Sequence, residues 1–195
     1  MCGIVGVLDT RPDAEIHPSV IERMLGAIVH RGQDDAGVSA LGPVGLGTRR
    51  LQIIDLTGGH QPMSNEDNSV WVAFNGEIYN YRQLRQTLEG HGHRFVSTSD
   101  TEVLLALFAR EGEAMLPRLH GMFAFVIYDR TRRRLFGARD RMGKKPLYHT
   151  TRPLKSTGTS VAFAFASEIK ALRAHPTVES SLRLSEEGLL SYLLM

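Results

Sequence analysis

The chain has 195 residues, 42% of them hydrophobic, and its charge is nearly balanced at +2 with histidine neutral. This suits one large domain, or one domain with a short extension, and it gives no ground for a polyanionic partner such as nucleic acid. The single cysteine excludes an intrachain disulfide framework and a cysteine-rich zinc site, and no apolar run reaches the about 18 residues of a membrane span, so neither a metal nor a membrane is expected.

Gly3–Leu8 reads as a short apolar strand. His17–His30 reads as a helix with Val20, Ile21, Met24, Leu25 and Ile28 on one face. His30-Arg31-Gly32-Gln33-Asp34-Asp35-Ala36-Gly37 is a polar, glycine-bearing loop. Val44–Thr48 and Leu51–Asp55 are predicted strands, and Thr57–Asn68 is a loop rich in Gly, Asn and Pro. Val70–Phe74 is an apolar strand that runs into Asn75-Gly76. Tyr81, Leu84 and Leu88 mark a short helix ending near Gly90. Ser99 with Glu102 forms a capping box for a second helix, whose buried face is Val103, Leu104, Leu107 and Phe108. Met122–Tyr128, Arg134–Ala138 and Val161–Ala166 follow as strands covered on both faces. Arg132-Arg133-Arg134 reads as a charged hairpin turn rather than a nucleic-acid patch, and Pro153–Ser160 as a polar loop. Strands joined by short turns, with clustered helices, favour an α+β domain of largely antiparallel sheets.

Ser185-Glu186-Glu187 starts another helix, continued by Leu189, Leu190, Leu193 and Leu194, and the sequence stops with its apolar face just begun. The expectation is a domain over residues 1–184, with 185–195 leading into a further domain of a longer protein. The N-terminus lacks a basic segment followed by a long apolar one, so no signal peptide is expected and a cytoplasmic enzyme is the natural reading.

Four places carry chemistry. Cys2 follows the initiator Met, and a small residue at position 2 normally lets Met1 be removed. Cys2 would then hold a thiol and a free α-amine, a group with a pKa of about 7.7–8.0, on one residue. A nucleophile that uses the N-terminal amine as its base is a workable catalytic unit. Arg50, in Arg49-Arg50-Leu51 between two strands, could clamp a carboxylate with two hydrogen bonds. Asn75-Gly76 has the form of a hairpin turn, but the next segment reads as helix. An Asn amide and a Gly N–H could instead converge on one oxygen, as an oxyanion hole requires. Asp100, beside a helix start, is favoured there by the dipole and could pair with a substrate ammonium.

Cys2-Gly3-Ile4, His30-Arg31-Gly32, Arg50-Leu51, Phe74-Asn75-Gly76-Glu77-Ile78-Tyr79-Asn80 and Ser99-Asp100-Thr101-Glu102 have the order and spacing of the glutaminase domain of class II glutamine amidotransferases. Within that family the resemblance is to the glutamine-hydrolysing asparagine synthetases. Gly121–Phe125, Arg139–Tyr148 and Ala166–Leu172 extend it over nearly the whole chain. It implies an N-terminal nucleophile fold, a four-layer αββα sandwich with two largely antiparallel sheets. It implies Cys2 as nucleophile, Asn75 and Gly76 as oxyanion hole, Arg50 for the glutamine α-carboxylate and Asp100 for its α-ammonium. Glu77 and the backbone of Leu51, Gln52, Ile53 and Ile54 would line the same pocket. Gln33 stands where the family usually has Pro, which loosens the loop and should touch rigidity more than chemistry.

The resemblance further implies hydrolysis of L-glutamine to glutamate and ammonia with no cofactor in this domain. An ATP-dependent synthetase domain of the full-length protein, using Mg-ATP, would be the partner that consumes the ammonia. Gly137–Lys145 holds Gly-x5-Gly-Lys-Lys, one residue too long for a phosphate loop and without the following Ser or Thr. A homodimer through the leucine-rich end is a further expected partner arrangement. Two other functions stand beside this one: a non-catalytic amidotransferase-like binding module, and a glutaminase domain serving another acceptor.

Overall fold

The computed structural model describes residues 2–11, 13–51, 59–150, 154–156, 159–183 and 185–194. In chain order these contain β1 (Gly3–Asp9), α1 (Pro18–Gly26), β2 (Asp35–Leu41), β3 (Val44–Arg50), β4 (Met63–Ser64), β5 (Val70–Ile78), α2 (Tyr81–Gly90), α3 (Asp100–Glu111), β6 (Gly121–Asp129), β7 (Arg134–Arg139), β8 (Tyr148–His149), β9 (Leu154–Ser156), β10 (Thr159–Ala166), α4 (Ile169–Arg173), α5 (Pro176–Ser181) and α6 (Glu186–Leu193).

One sheet runs β2-β3-β1-β10-β8, with β9 also paired to β10, and the other runs β4-β5-β6-β7. The strand pairs in both are antiparallel. Strand side chains alternate between faces, and the buried residues sort accordingly into three interfaces. Ile21, Met24 and Leu25 of α1 pack with Val5 and Val7 of β1 and with Ala171 and Leu172 of α4. Leu84 and Leu88 of α2 and Val103, Leu104 and Leu107 of α3 cover Val72 and Phe74 of β5 and Phe125 and Ile127 of β6. Between the sheets lie Ile4, Leu46 and Phe165 from one and Ala73, Val126 and Tyr128 from the other. The αββα sandwich expected from the sequence is the fold observed. Close packing of α1 explains the Gly-Leu-Gly of β3, because a Cβ on Gly45 would come within 2.7 Å of Ile21 Cδ1.

Several boundaries differ from the sequence reading. Helix α1 stops at Gly26 and not at His30. Ala27 and Ile28 N–H turn back to the Met24 and Leu25 carbonyls, tightening the chain into a 3₁₀ turn over Val29–Arg31. Asp35–Leu41, whose first half the sequence reading took as loop, is a strand paired residue for residue with β3, from Asp35 opposite Arg50 to Leu41 opposite Val44. The loop expected over Thr57–Asn68 contains β4, and the loop expected over Pro153–Ser160 contains β9 and the start of β10. The expected strand Leu51–Asp55 lies outside the described residues beyond Leu51, which is itself not in a strand. The capping box is half formed. Ser99 Oγ accepts from Thr101 N, but Glu102 reaches back to Val96 N and Ser97 N.

Candidate active site

Cys2 precedes β1 and Asn75 lies near the end of β5. Counting by twos, Cys2 shares a face with Ile4, and Asn75 shares one with Ala73; Ile4 and Ala73 both belong to the layer between the sheets. The two chemical residues therefore continue that layer at its rim. A pocket opens there, lined by Cys2, Arg50, Leu51, Gly76, Glu77 and Asp100. The structure thus brings together the sequence-predicted residues that it describes, with Asn75 next in chain to Gly76; Gln52, Ile53 and Ile54 lie outside the described residues.

The half-buried Cys2 thiol donates to the Leu51 carbonyl at 3.6 Å. Arg50 ends β3 and is buried, and its carbonyl accepts from Asp34 N at 3.2 Å. Gly32 permits this, because a Cβ there would lie 2.5 Å from Arg50 N. The His30-Arg31-Gly32 turn is therefore pressed against the backbone that presents Arg50.

The free edge of β5 has a clear pattern. Strand β4 covers it only as far as Met63 opposite Val72. Further along, Phe74 N donates to Gln61 Oε1 at 2.8 Å and Ile78 N donates to Asp100 Oδ2 at 2.9 Å. Amides two apart point the same way in an antiparallel strand, so Gly76 N–H points to this edge, between Gln61 and Asp100 and into the pocket. A Cβ on Gly76 would collide with the Met122 carbonyl and lie 2.7 Å from Phe123 Cα, so the close approach of β6 requires glycine. The Asn-Gly pair is strand, not turn. Asn75 is 1% exposed, and among the described residues neither Nδ2 nor Oδ1 of its amide has a hydrogen-bond partner.

Asp100 is the first residue of α3 and is almost wholly buried. Burial raises its carboxyl to about 6; hydrogen bonds from backbone N–H groups, Ile78 first, oppose this, and the nearby Glu77 charge adds to it. A carboxylate left in this environment gains from an arriving cation.

Sequence reasoning missed Gln61. It is buried, and its side chain donates to Thr101 Oγ1 at 3.2 Å while its carbonyl accepts from Thr48 Oγ1 at 2.6 Å. It ties β3, β5 and α3 together under the pocket. A lone Gln in a loop carries no local signal of this. Also unread was a network behind Cys2. Glu168 accepts from His30 Nε2 at 2.8 Å and Arg31 Nη1 at 3.0 Å and pairs with Lys170 at 3.1 Å. Partial burial works against its ionisation, but the bonds from His30, Arg31 and Lys170 prevail and hold its carboxyl at about 2.

Among the described residues, no group of three or more His, Cys, Asp or Glu is placed to hold a metal ion, and no helix is long and apolar enough to cross a membrane.

Residues 1–195 match the family model of the glutamine amidotransferase domain. The chain is 43% identical over 195 residues to asparagine synthetase [glutamine-hydrolyzing] 1 of Bacillus subtilis, covering 99% of the chain and 29% of that protein. It is 39% identical over 172 residues to asparagine synthetase [glutamine-hydrolyzing] 3 of Arabidopsis thaliana, covering 88% of the chain and 28% of that protein. The chain thus spans less than a third of the length of these curated relatives. Among solved structures, glutamine phosphoribosylpyrophosphate amidotransferase from B. subtilis, complexed with ADP and GMP, superposes with a TM-score of 0.69 at 27% identity, over 91% of this chain and 44% of that one.

Proposed function

The chain belongs to the glutamine amidotransferase domain family, and on that premise we propose that it hydrolyses L-glutamine to L-glutamate and ammonia through a γ-glutamyl thioester on Cys2. The observation that carries this reading is the unpartnered amide of Asn75, buried beside Gly76. Leaving such a group unsatisfied costs about 1–3 kcal/mol, and an oxygen developing negative charge at the rim of the pocket would recover that cost.

The steps follow from the groups present. Once Met1 is removed, the Cys2 α-amine takes the proton of its own thiol, directly or through one water. The thiolate attacks the side-chain amide carbon of glutamine, and the electron pair moves to the carbonyl oxygen. Asn75 Nδ2–H and Gly76 N–H hold that oxyanion. The carbon–nitrogen bond breaks, the ammonium of Cys2 protonates the leaving nitrogen, and ammonia departs. Water, deprotonated by the same amine, cleaves the thioester and frees glutamate and thiol. Arg50 holds the substrate α-carboxylate and Asp100 its α-ammonium, with Glu77 and the backbone of Leu51 beside them. In this reading the ammonia passes to an ATP-dependent asparagine synthetase domain of a longer protein, which alone would use Mg-ATP. The reaction belongs to the cytoplasm, where a lone thiol stays reduced.

The direct test is the intact mass of the purified protein, followed by ammonia release from glutamine on the same sample. Protein lacking Met1 releases ammonia and glutamate in equal amounts; silence from such protein rejects the reading.

The role of Asp100 adds a pH signature. Its carboxyl is raised to about 6, so the free enzyme loses its ammonium partner as pH falls through that value. The Cys2 amine already lowers kcat/KM for glutamine about tenfold per pH unit below its own pKa, and protonation of Asp100 should steepen this by a further tenfold per unit below 6. Folding has the opposite sign. An acid with a raised folded-state pKa costs stability on ionising, so its contribution worsens as pH rises from its ordinary value through about 6. A profile in which stability and kcat/KM both rise through that window would contradict the assignment.

A further inference from the structure

An N-terminal nucleophile has no preceding chain to hold it, so its position must be fixed from the side. On one side of β1, Gly3 lies opposite Arg49 in the ladder with β3. On the other side β10 ends at Ala166, opposite Val5, and the pairing is carried on by Ser167, whose N–H donates to the Ile4 carbonyl at 2.8 Å and whose Oγ accepts from Ile4 N at 2.9 Å. Ser167 is fully buried. The Cys2 carbonyl accepts from Arg31 Nε at 2.9 Å.

Arg31 reaches it because Gly3 has no side chain; a Cβ there would lie 3.2 Å from Arg31 Cδ. The Arg31 side chain is 8% exposed, and its Nη2 has no partner among the described residues. Its direction is therefore set by two bonds, Nε to Cys2 and Nη1 to Glu168 at 3.0 Å. The same Glu168 oxygen accepts from His30 Nε2, and the other pairs with Lys170, so the carboxylate is itself fixed.

We propose that Glu168 is a positioning residue for the Cys2 nucleophile, acting through Arg31. It rests on the reading of Cys2 as the nucleophile of a glutaminase. Glu168 follows Ser167, so one short segment after β10 holds both Ile4 and, through Arg31, Cys2. Removing the carboxylate frees one end of a buried guanidinium and lets the Cys2 carbonyl move. Displacements of about 1 Å at a reacting group cost on the order of 10²-fold in rate.

The test compares wild type with Glu168→Gln, which keeps size and loses charge. The expected result is a kcat at least tenfold lower, with KM within twofold of wild type. A second readout needs no turnover: alkylation of Cys2 by iodoacetamide, mapped by mass to the N-terminal peptide, should run at least threefold faster as the thiol is released. Arg173→Ala removes an exposed ion pair to Glu179 on the neighbouring helix and should leave both unchanged. Wild-type kcat in folded Glu168→Gln overturns the proposal, as does a loss of activity that merely tracks a lower Tm with alkylation unchanged. If Glu168→Gln does not fold, Glu168→Asp, which retains the charge and withdraws it by one methylene, is judged by the same criteria. If wild type releases no ammonia, the glutaminase reading falls, and the alkylation comparison alone decides: equal rates reject positioning.

Discussion

Replacing Cys2 by alanine is expected to abolish ammonia release from glutamine and to leave the fold intact. The thiol is the only group in the pocket whose attack on an amide carbon would create a thioester, and loss of the nucleophile in a covalent mechanism costs on the order of 10⁶-fold. The structural cost is small. Cys2 is half-buried, outside any strand, and its thiol makes one long bond to the Leu51 carbonyl. The backbone bond from Arg31 does not involve the side chain. The expected change in Tm is within about 2 °C, the effect of a few tenths of a kcal/mol. Ammonia release and thermal unfolding on one preparation check both halves. Turnover at the wild-type rate in Cys2→Ala would rule out the thioester mechanism.

Asn75→Ala separates function from stability in the other direction. In the proposed mechanism this removes one oxyanion donor and should lower kcat by about 10²–10³, with the proposed Arg50 and Asp100 contacts to glutamine kept and little change in KM. An ordinary buried amide is hydrogen-bonded, and its loss destabilises. Asn75 has no such bonds among the described residues, so alanine relieves an unsatisfied group, offsetting the small void it leaves. Tm is expected to hold or rise. A fall of several degrees would mean the amide has a structural partner, and an undiminished kcat would remove Asn75 from the mechanism.

The site was readable where its chemistry is written in short local runs. Cys2, Arg50, Asn75-Gly76 and Asp100 could each be assigned a chemical capacity from residue type and position, and Cys2, Arg50, Gly76 and Asp100 line one pocket, with Asn75 next in chain to Gly76. Asn75-Gly76 shows how. Propensity argues for a turn, yet the helix beginning at Tyr81 left no returning strand, and the pair lies within β5. What escaped was held by distant contacts. Asp35–Leu41 opens with acidic and small residues and becomes a strand because β3 lies alongside. Gln61 matters through bonds to residues 13 and 40 positions away, and Glu168 through one 137 positions away. No periodicity within a window of a dozen residues encodes such distances.

Chain ends ordinarily fray first. Here Cys2, the proposed nucleophile, leads directly into β1, whose neighbours on both sides, β3 and β10, are themselves covered by further strands, and whose Ile4, Val5 and Val7 are fully buried. Central strands open only with the whole molecule, whereas peripheral segments open on their own. In the proposed reading, the strand that carries the nucleophile is therefore lost only with the whole sandwich, while Cys2, one residue before that strand, depends in addition on the bond from Arg31 to its carbonyl.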